Sequence, residues 1–108
     1  MKLAVTYDNT NGTVFREFEK TRVIKVYEVE DGEIIDSELV GTMAKTTEDI
    51  IGVITMLDAD GVLCGDLTKE TMAMLDDEGI LYYSGFYEDG DEAVRDFING
   101  YVLIGPDD

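Results

Sequence analysis

The chain has 108 residues, and its apolar share of 44% is that of a globular protein rather than a disordered one. This length suits one domain, residues 1–108, and the net charge of −17 with scattered basic residues argues against nucleic acid or an anionic membrane as a partner. The sequence has one cysteine, no apolar run near the length of a membrane helix and an N-terminus too quickly polar for a signal peptide, so we expect a cytoplasmic protein.

The first part of the chain predicts strands. Residues 3–7 have apolar side chains on both faces, which is typical of a central strand covered on both sides. A polar turn follows, and then a loop anchored by Phe15 and Phe18. The dipeptide Asp31-Gly32 between two β-branched runs predicts a hairpin. The predicted strands here are 3–7, 21–30 and 33–40.

The second part alternates helices and strands. Thr46, with Asp49 three residues on, predicts a helix start, and Thr68 predicts a second one that ends at Gly79. A third helix is capped by Asp89 or Asp91 and is predicted to stop at residues 99–100. Short strands at 62–64 and 80–83 separate the helices, and an extended tail at 102–104 and a frayed end at 106–108 follow.

This element order predicts the fold. Strands separated by helices pair in parallel through right-handed crossovers, and the hairpin inserts one antiparallel strand. We therefore expect a mixed α/β sheet of about five strands with helices on its faces. The strand that ends at Cys64 is expected to be central and parallel to the strand that ends at Tyr7.

The single cysteine stands where a short buried strand turns into a helix. The apolar run 62–64 stops at Gly65, and Asp66 and Thr68 precede the next helical pattern. In open α/β sheets this junction faces the crevice where ligands bind. Cys64 is therefore either a small core side chain, as free cysteines commonly are, or a thiolate near helix N–H groups that suits a soft metal or cluster.

Several segments together resemble the dinitrogenase iron–molybdenum cofactor-binding family, also called nitrogenase accessory factor-like. The resemblance implies a three-layer α/β/α fold with the ribonuclease H-like motif, in which strand 2 is antiparallel to the others. It also implies binding or carrying of iron–molybdenum or iron–sulfur clusters, without catalysis. The segments that carry the resemblance are 1–7, 12–15, 26–34, 60–65, 75–80 and 91–94.

Two segments depart from the family pattern. Many members have a loop of the form His-Phe-Gly-His after the first strand, whereas residues 17–20 here read Glu-Phe-Glu-Lys and the chain has no histidine. Members also tend to have a glycine-rich turn where Gly65 is followed by Asp-Leu-Thr. One thiolate does not complete the four-cysteine shell usual for a cluster. The other ligands would come from a second subunit, the cluster's own sulfides, or Glu17 and Glu19.

If a ligand binds, we expect it over the carboxyl ends of the two central strands, because parallel neighbours bring both following loops to one edge. Phe18 would wall this site as the family's loop does, and Cys64 would be its one soft metal ligand. The residues expected to line the cofactor site are Asp8, Phe18, Glu19, Cys64, Gly65 and Asp66.

Three functions fit these observations. The first is a non-catalytic accessory protein that binds or carries an iron–molybdenum or iron–sulfur cluster, with metallocofactor assembly proteins as partners, acting as a monomer or weak homodimer. The second is a degenerate binding or protein-interaction domain that kept the fold and lost the metal site, as the absent histidines indicate. The third is a hydrolase in which Asp8 and Asp66 hold a divalent metal, but no basic patch would hold a nucleic-acid substrate.

Overall fold

The structure is a computed structural model that describes residues 1–101. Its strands are β1 (Lys2–Asp8), β2 (Thr13–Val14), β3 (Val23–Glu30), β4 (Glu33–Gly41), β5 (Gly61–Leu63) and β6 (Tyr82–Tyr83). Its helices are α1 (Thr47–Leu57), α2 (Lys69–Asp77) and α3 (Gly90–Asp96), with a 3₁₀ helix at Phe18–Lys20 and a π-helical turn at Phe97–Tyr101.

One mixed sheet contains the strands, in the order β4-β3-β1-β5-β6, with β2 paired to β1. Strand β5 runs parallel to β1 and β6 parallel to β5, whereas β3 is antiparallel to both β1 and β4. The strand that leads to Cys64 is therefore central and parallel to β1, as predicted. The sheet has six strands within residues 1–101 rather than about five, because β2 returns from the first turn and pairs with the end of β1.

Helices cover both faces of the sheet. Leu3 of β1 packs on one face in a cluster with Val94 of α3, whereas Ala4 packs on the other face with Ile50 of α1 and Leu75 of α2. Successive side chains of a strand point to opposite faces, so β1 supplies both cores. This arrangement is the three-layer α/β/α architecture with an antiparallel second long strand that the family resemblance implies.

The local helix signals are confirmed. Thr46 and Asp49 form a complete capping box at the start of α1, and the Thr68 hydroxyl accepts a hydrogen bond from the first turn of α2. Of the two candidate caps for α3, Asp89 is the one used. Gly79 follows α2 with a φ of 69°, a conformation that glycine adopts without steric cost.

The predicted strands 21–30 and 62–64 differ from β3 and β5 by one or two residues, and two predicted boundaries beside helices are wrong. Strand β6 covers only Tyr82–Tyr83. The amide of Ile80 donates to the carbonyl of Leu75 at 3.0 Å, so Ile80 takes part in the turn that closes α2 and not in the strand. The third helix does not stop at residues 99–100. It continues through the π-helical turn to Tyr101, with Phe97 buried in the core.

The buried face of α2 differs in part from the prediction, and the predicted tail is not described by the structure. Helical spacing predicts that Met72 and Leu75 of the second helix face inward. Leu75 is fully buried, whereas Met72 is half-buried and the other buried side chain of α2 is Thr71. The predicted segments 102–104 and 106–108 lie outside the described residues. Within residues 1–101, each helix is too short or too polar to cross a membrane.

Candidate functional site at the carboxyl ends of β1 and β5

The loop after β5 lies against the segment that precedes the 3₁₀ helix. The amide of Asp66 donates to the carbonyl oxygen of Arg16 at 2.6 Å, and Glu17 pairs with Asp66 in an isolated parallel bridge. Five of the six predicted site residues therefore lie on two segments in contact. Asp8 lies at the end of β1 instead.

Cys64 is a core side chain. Its exposed fraction is 0%, and it packs in the core beneath α1 and α2. Its Sγ donates to the carbonyl oxygen of Tyr83 at 3.6 Å. Burial, together with the carboxylates of Glu19 and Asp66, raises the pKa of the Cys64 thiol to about 12. Because metals bind the thiolate and not the thiol, this environment opposes a ligand role for Cys64.

Gly65 permits the close contact between the two segments. A Cβ at this position would lie 2.6 Å from the carbonyl oxygen of Arg16 and 2.9 Å from its Cα. Both atoms belong to the backbone, so no side-chain rotation would relieve the clash. In this structure the space above Gly65 is filled by the neighbouring segment of the same chain.

Asp66 is partnered at the surface. Its carboxylate accepts from Arg16 Nε at 3.1 Å and from the hydroxyl of Tyr87, and the Arg16 guanidinium lies 5.5 Å from the centre of the Tyr87 ring. The hydrogen bonds from Tyr87 and Arg16 lower the pKa of Asp66. The sequence predicts neither partner, because they lie 50 and 21 residues from Asp66.

The remaining predicted residues have structural contacts of their own. Phe18 is fully buried in the same core as Cys64. Glu19 Oε2 accepts from the hydroxyl of Thr71 at 2.7 Å, which ties the 3₁₀ helix to α2. The Asp8 carboxylate accepts from two backbone amides and from the side-chain amide of Asn11, and so holds its own turn.

A cavity of about 620 Å³ opens between the end of β1, the 3₁₀ helix and the start of α1. Of the predicted site residues, Asp8 and Glu19 line it. Its other charged walls are Lys20, Arg22 and Lys45. Lys20 and Arg22 lie two residues apart in the connection between β2 and β3, whereas Lys45 lies in the connection between β4 and α1. Only the closeness of Lys20 and Arg22 in sequence indicates a shared site.

The donor set does not fit a cluster ligated by this chain alone. Among residues 1–101, no three Cys, Asp or Glu side chains converge as a group that could hold a metal ion. The carboxylates expected to assist Cys64 already have partners, since Glu17 lies 3.4 Å from Lys20 and Glu19 bonds to Thr71. An iron–sulfur cluster needs several free donors, thiolates above all.

The family described as "Dinitrogenase iron-molybdenum cofactor" matches residues 1–100. The chain belongs to this family. Its name associates these domains with the iron–molybdenum cofactor, and the match supports a domain of an accessory or cofactor-binding type. None of the functionally curated proteins matches the sequence.

Solved structures share the family fold. A crystal structure of a protein named PH0822 has a TM-score of 0.82 at 20% identity, covering 93% of this chain and 92% of that one. A protein from Methanococcus jannaschii, provisionally described as a dinitrogenase, has a TM-score of 0.73 at 18% identity over 93% and 88%. A Thermotoga protein provisionally described as NifB has a TM-score of 0.70 at 15% identity over 92% and 88%. At these identities the similarity establishes the fold.

Proposed function

We propose that this chain is a non-catalytic accessory domain of the iron–molybdenum cofactor family that does not ligate a cluster through Cys64. The observation that carries this proposal is the state of that thiol, which is fully buried, bonded to the Tyr83 carbonyl and raised in pKa to about 12. This is the degenerate binding or interaction domain that the absent histidines indicate.

The second candidate is a carrier of an iron–molybdenum or iron–sulfur cluster as cargo. The family match over residues 1–100 favours it. In this case the cluster would need donors from a second subunit or from a partner protein, and the loop around Cys64 would have to open. The two candidates differ in whether Cys64 contacts iron.

Both candidates imply protein partners. We expect these to be proteins of metallocofactor assembly, and we expect the chain itself to be a cytoplasmic monomer or weak homodimer. The net charge of −17 favours a partner with a basic surface and disfavours nucleic acid. Charge complementarity would mainly raise the association rate and make it depend on salt.

The experiment is anaerobic reconstitution of the wild type and Cys64→Ala with iron and sulfide, followed by desalting and metal analysis. We expect both proteins to retain equally little iron. Iron retained by the wild type and lost in the variant would overturn the proposal in favour of the cargo carrier. Circular dichroism of both proteins shows whether the variant has kept the fold.

A further inference from the structure

The cavity at the start of α1 differs from the rest of the molecule in charge. Three of the chain's 8 basic residues line it, Lys20, Arg22 and Lys45, against a net charge of −17 for the whole chain. Among residues 1–101, neither Arg22 nor Lys45 has an ion-pair partner within 4.0 Å, and Lys20 has only the exposed Glu17 at 3.4 Å. Cations gathered in one concave site attract anions.

Two carboxylates, those of Asp8 and Glu19, also line the cavity, and both accept hydrogen bonds from the protein. Asp8 is held by the amides of its own turn, with distances of 2.9 Å and 3.2 Å, and by the Asn11 side chain at 3.0 Å. Glu19 accepts from the Thr71 hydroxyl at 2.7 Å. These contacts direct carboxylate oxygens to donors of the protein, whereas among residues 1–101 the three cations form one side-chain ion pair, that of Lys20 with Glu17.

Thr21 provides a separate observation. It lines the cavity between Lys20 and Arg22, and its exposed fraction is 1%. Its backbone is fully engaged, since its amide donates to Phe18 and its carbonyl accepts from the hydroxyl of Thr42 at 3.0 Å. Its own hydroxyl has no hydrogen-bond partner among the described residues. A buried hydroxyl without a partner is unfavourable, and a ligand oxygen that displaced the cover over Thr21 would supply the missing partner.

We propose that this cavity binds a small organic oxyanion, with the carboxylate or phosphate group at Thr21, Arg22 and Lys45. Phe15 and Ile50 line the same cavity and would contact the apolar part of the ligand. The volume of about 620 Å³ lies in the range of small-molecule sites. The site is separate from Cys64 and needs no metal. A negative result for this site would therefore leave the proposed function unaffected, and the reverse also holds.

The test is titration of ¹⁵N-labelled protein with benzoate and with phenyl phosphate at constant ionic strength, followed by NMR. We expect saturable shifts of the amides of Thr21, Arg22 and Lys45 with at least one probe. Benzoate alone indicates a carboxylate ligand, and phenyl phosphate alone a phosphate ester. The absence of saturable shifts with both probes would overturn the proposal.

Three variants locate the binding. Thr21→Val keeps the shape and removes the hydroxyl, and Lys45→Gln removes one cation; each should weaken binding by about tenfold or more, as expected for the loss of a hydrogen bond to a charged group. Lys69→Gln, outside the cavity walls, should bind like the wild type. Thr21→Val should also unfold at the same temperature as the wild type or higher. Wild-type affinity in both Thr21→Val and Lys45→Gln would contradict the proposal. If Thr21→Val does not fold, wild-type affinity in Lys45→Gln alone would contradict it.

Discussion

At the scale of single residues, Gly65 is the position where two backbone segments touch. Gly65→Ala would place a Cβ 2.6 Å from the carbonyl oxygen of Arg16. We expect a loss of about 1–3 kcal/mol in the free energy of unfolding, typical of overpacking, measured by urea denaturation. Gly52→Ala is the matched control, because nothing lies within 4 Å of its Cβ position and it is inside α1. That change should stabilise by about 0.5–1 kcal/mol. Equal stability of the two variants would contradict this account of Gly65.

Asp91 makes the stability depend on pH. Its Oδ1 accepts from the Tyr27 hydroxyl at 2.7 Å and from Lys25 Nζ at 3.3 Å, and these contacts, Tyr27 first, lower the pKa of Asp91. A lowered pKa in the folded state adds stability above the unfolded pKa of about 3.9, and the added stability is lost as the pH falls through the folded value.

We expect Asp91→Asn to lower the free energy of unfolding by about 1 kcal/mol at pH 7, a figure reduced for the partly exposed carboxylate. The difference from the wild type should shrink below about pH 4 and vanish when the wild-type Asp91 is protonated. Urea denaturation at a series of pH values measures it. A difference that stays constant down to pH 2 would mean that the charge of Asp91 plays no part.

At the scale of elements, the capping box fixes the start of α1. The Thr46 hydroxyl accepts from the Asp49 amide at 3.2 Å, and the Asp49 carboxylate accepts in return from the Thr46 amide at 3.2 Å. We expect Thr46→Ala to cost about 1 kcal/mol, read from the urea midpoint. Thr47→Ala is the control, since no hydrogen bond of its hydroxyl is present among the described residues, and it should change stability little. A neutral Thr46→Ala would show that the cap contributes nothing measurable.

Some boundaries of helices and strands can be predicted from the sequence, and others cannot. The caps at Thr46 and Thr68 and the Asp31-Gly32 turn were predictable because each is a local motif with a direct backbone role. The start of β6 was not, because the amide of Ile80 bonds back to the carbonyl of Leu75 where an apolar run favours a strand. The π-helical turn at Phe97–Tyr101 is not predictable, because its glycine favours a helix stop, whereas the burial of Phe97 in the core accompanies a helix that continues.

At the scale of the whole molecule, the charge opposes folding. A net charge of −17 on a compact domain repels itself, and salt screens that repulsion over about 10 Å at 0.1 M. We expect the urea midpoint to rise when sodium chloride is increased from about 0.05 M to about 0.5 M. The salt-induced rise should be smaller in a variant in which three exposed acids of β4, Glu33, Asp36 and Glu38, are changed to glutamine or asparagine. A midpoint that falls with salt would contradict this.

The overall topology was predictable, and the contents of the site were not. The order of strands and helices is encoded in hydrophobic periodicity along the chain, so the parallel pairing of β1 and β5 followed from it. The position of the Cys64 side chain depends on distant segments. Arg16 covers Gly65, and Tyr83 accepts from the thiol. Sequence spacing carries no information about such contacts. The sequence alone therefore does not decide whether Cys64 is a core side chain or a metal-binding thiolate.

Cys64, the single thiol, is buried in the core, and we propose that it binds no metal. The most direct measurement is the rate at which Cys64 reacts with a chromogenic disulfide reagent at pH 8, in buffer and in concentrated urea. With a pKa of about 12, roughly one thiol in ten thousand is ionised at this pH, and the folded chain shields it. We predict that Cys64 in the native protein reacts at least a hundredfold more slowly than in the unfolded chain. Stoichiometric reaction of the native protein at the rate of the unfolded chain would contradict the claim.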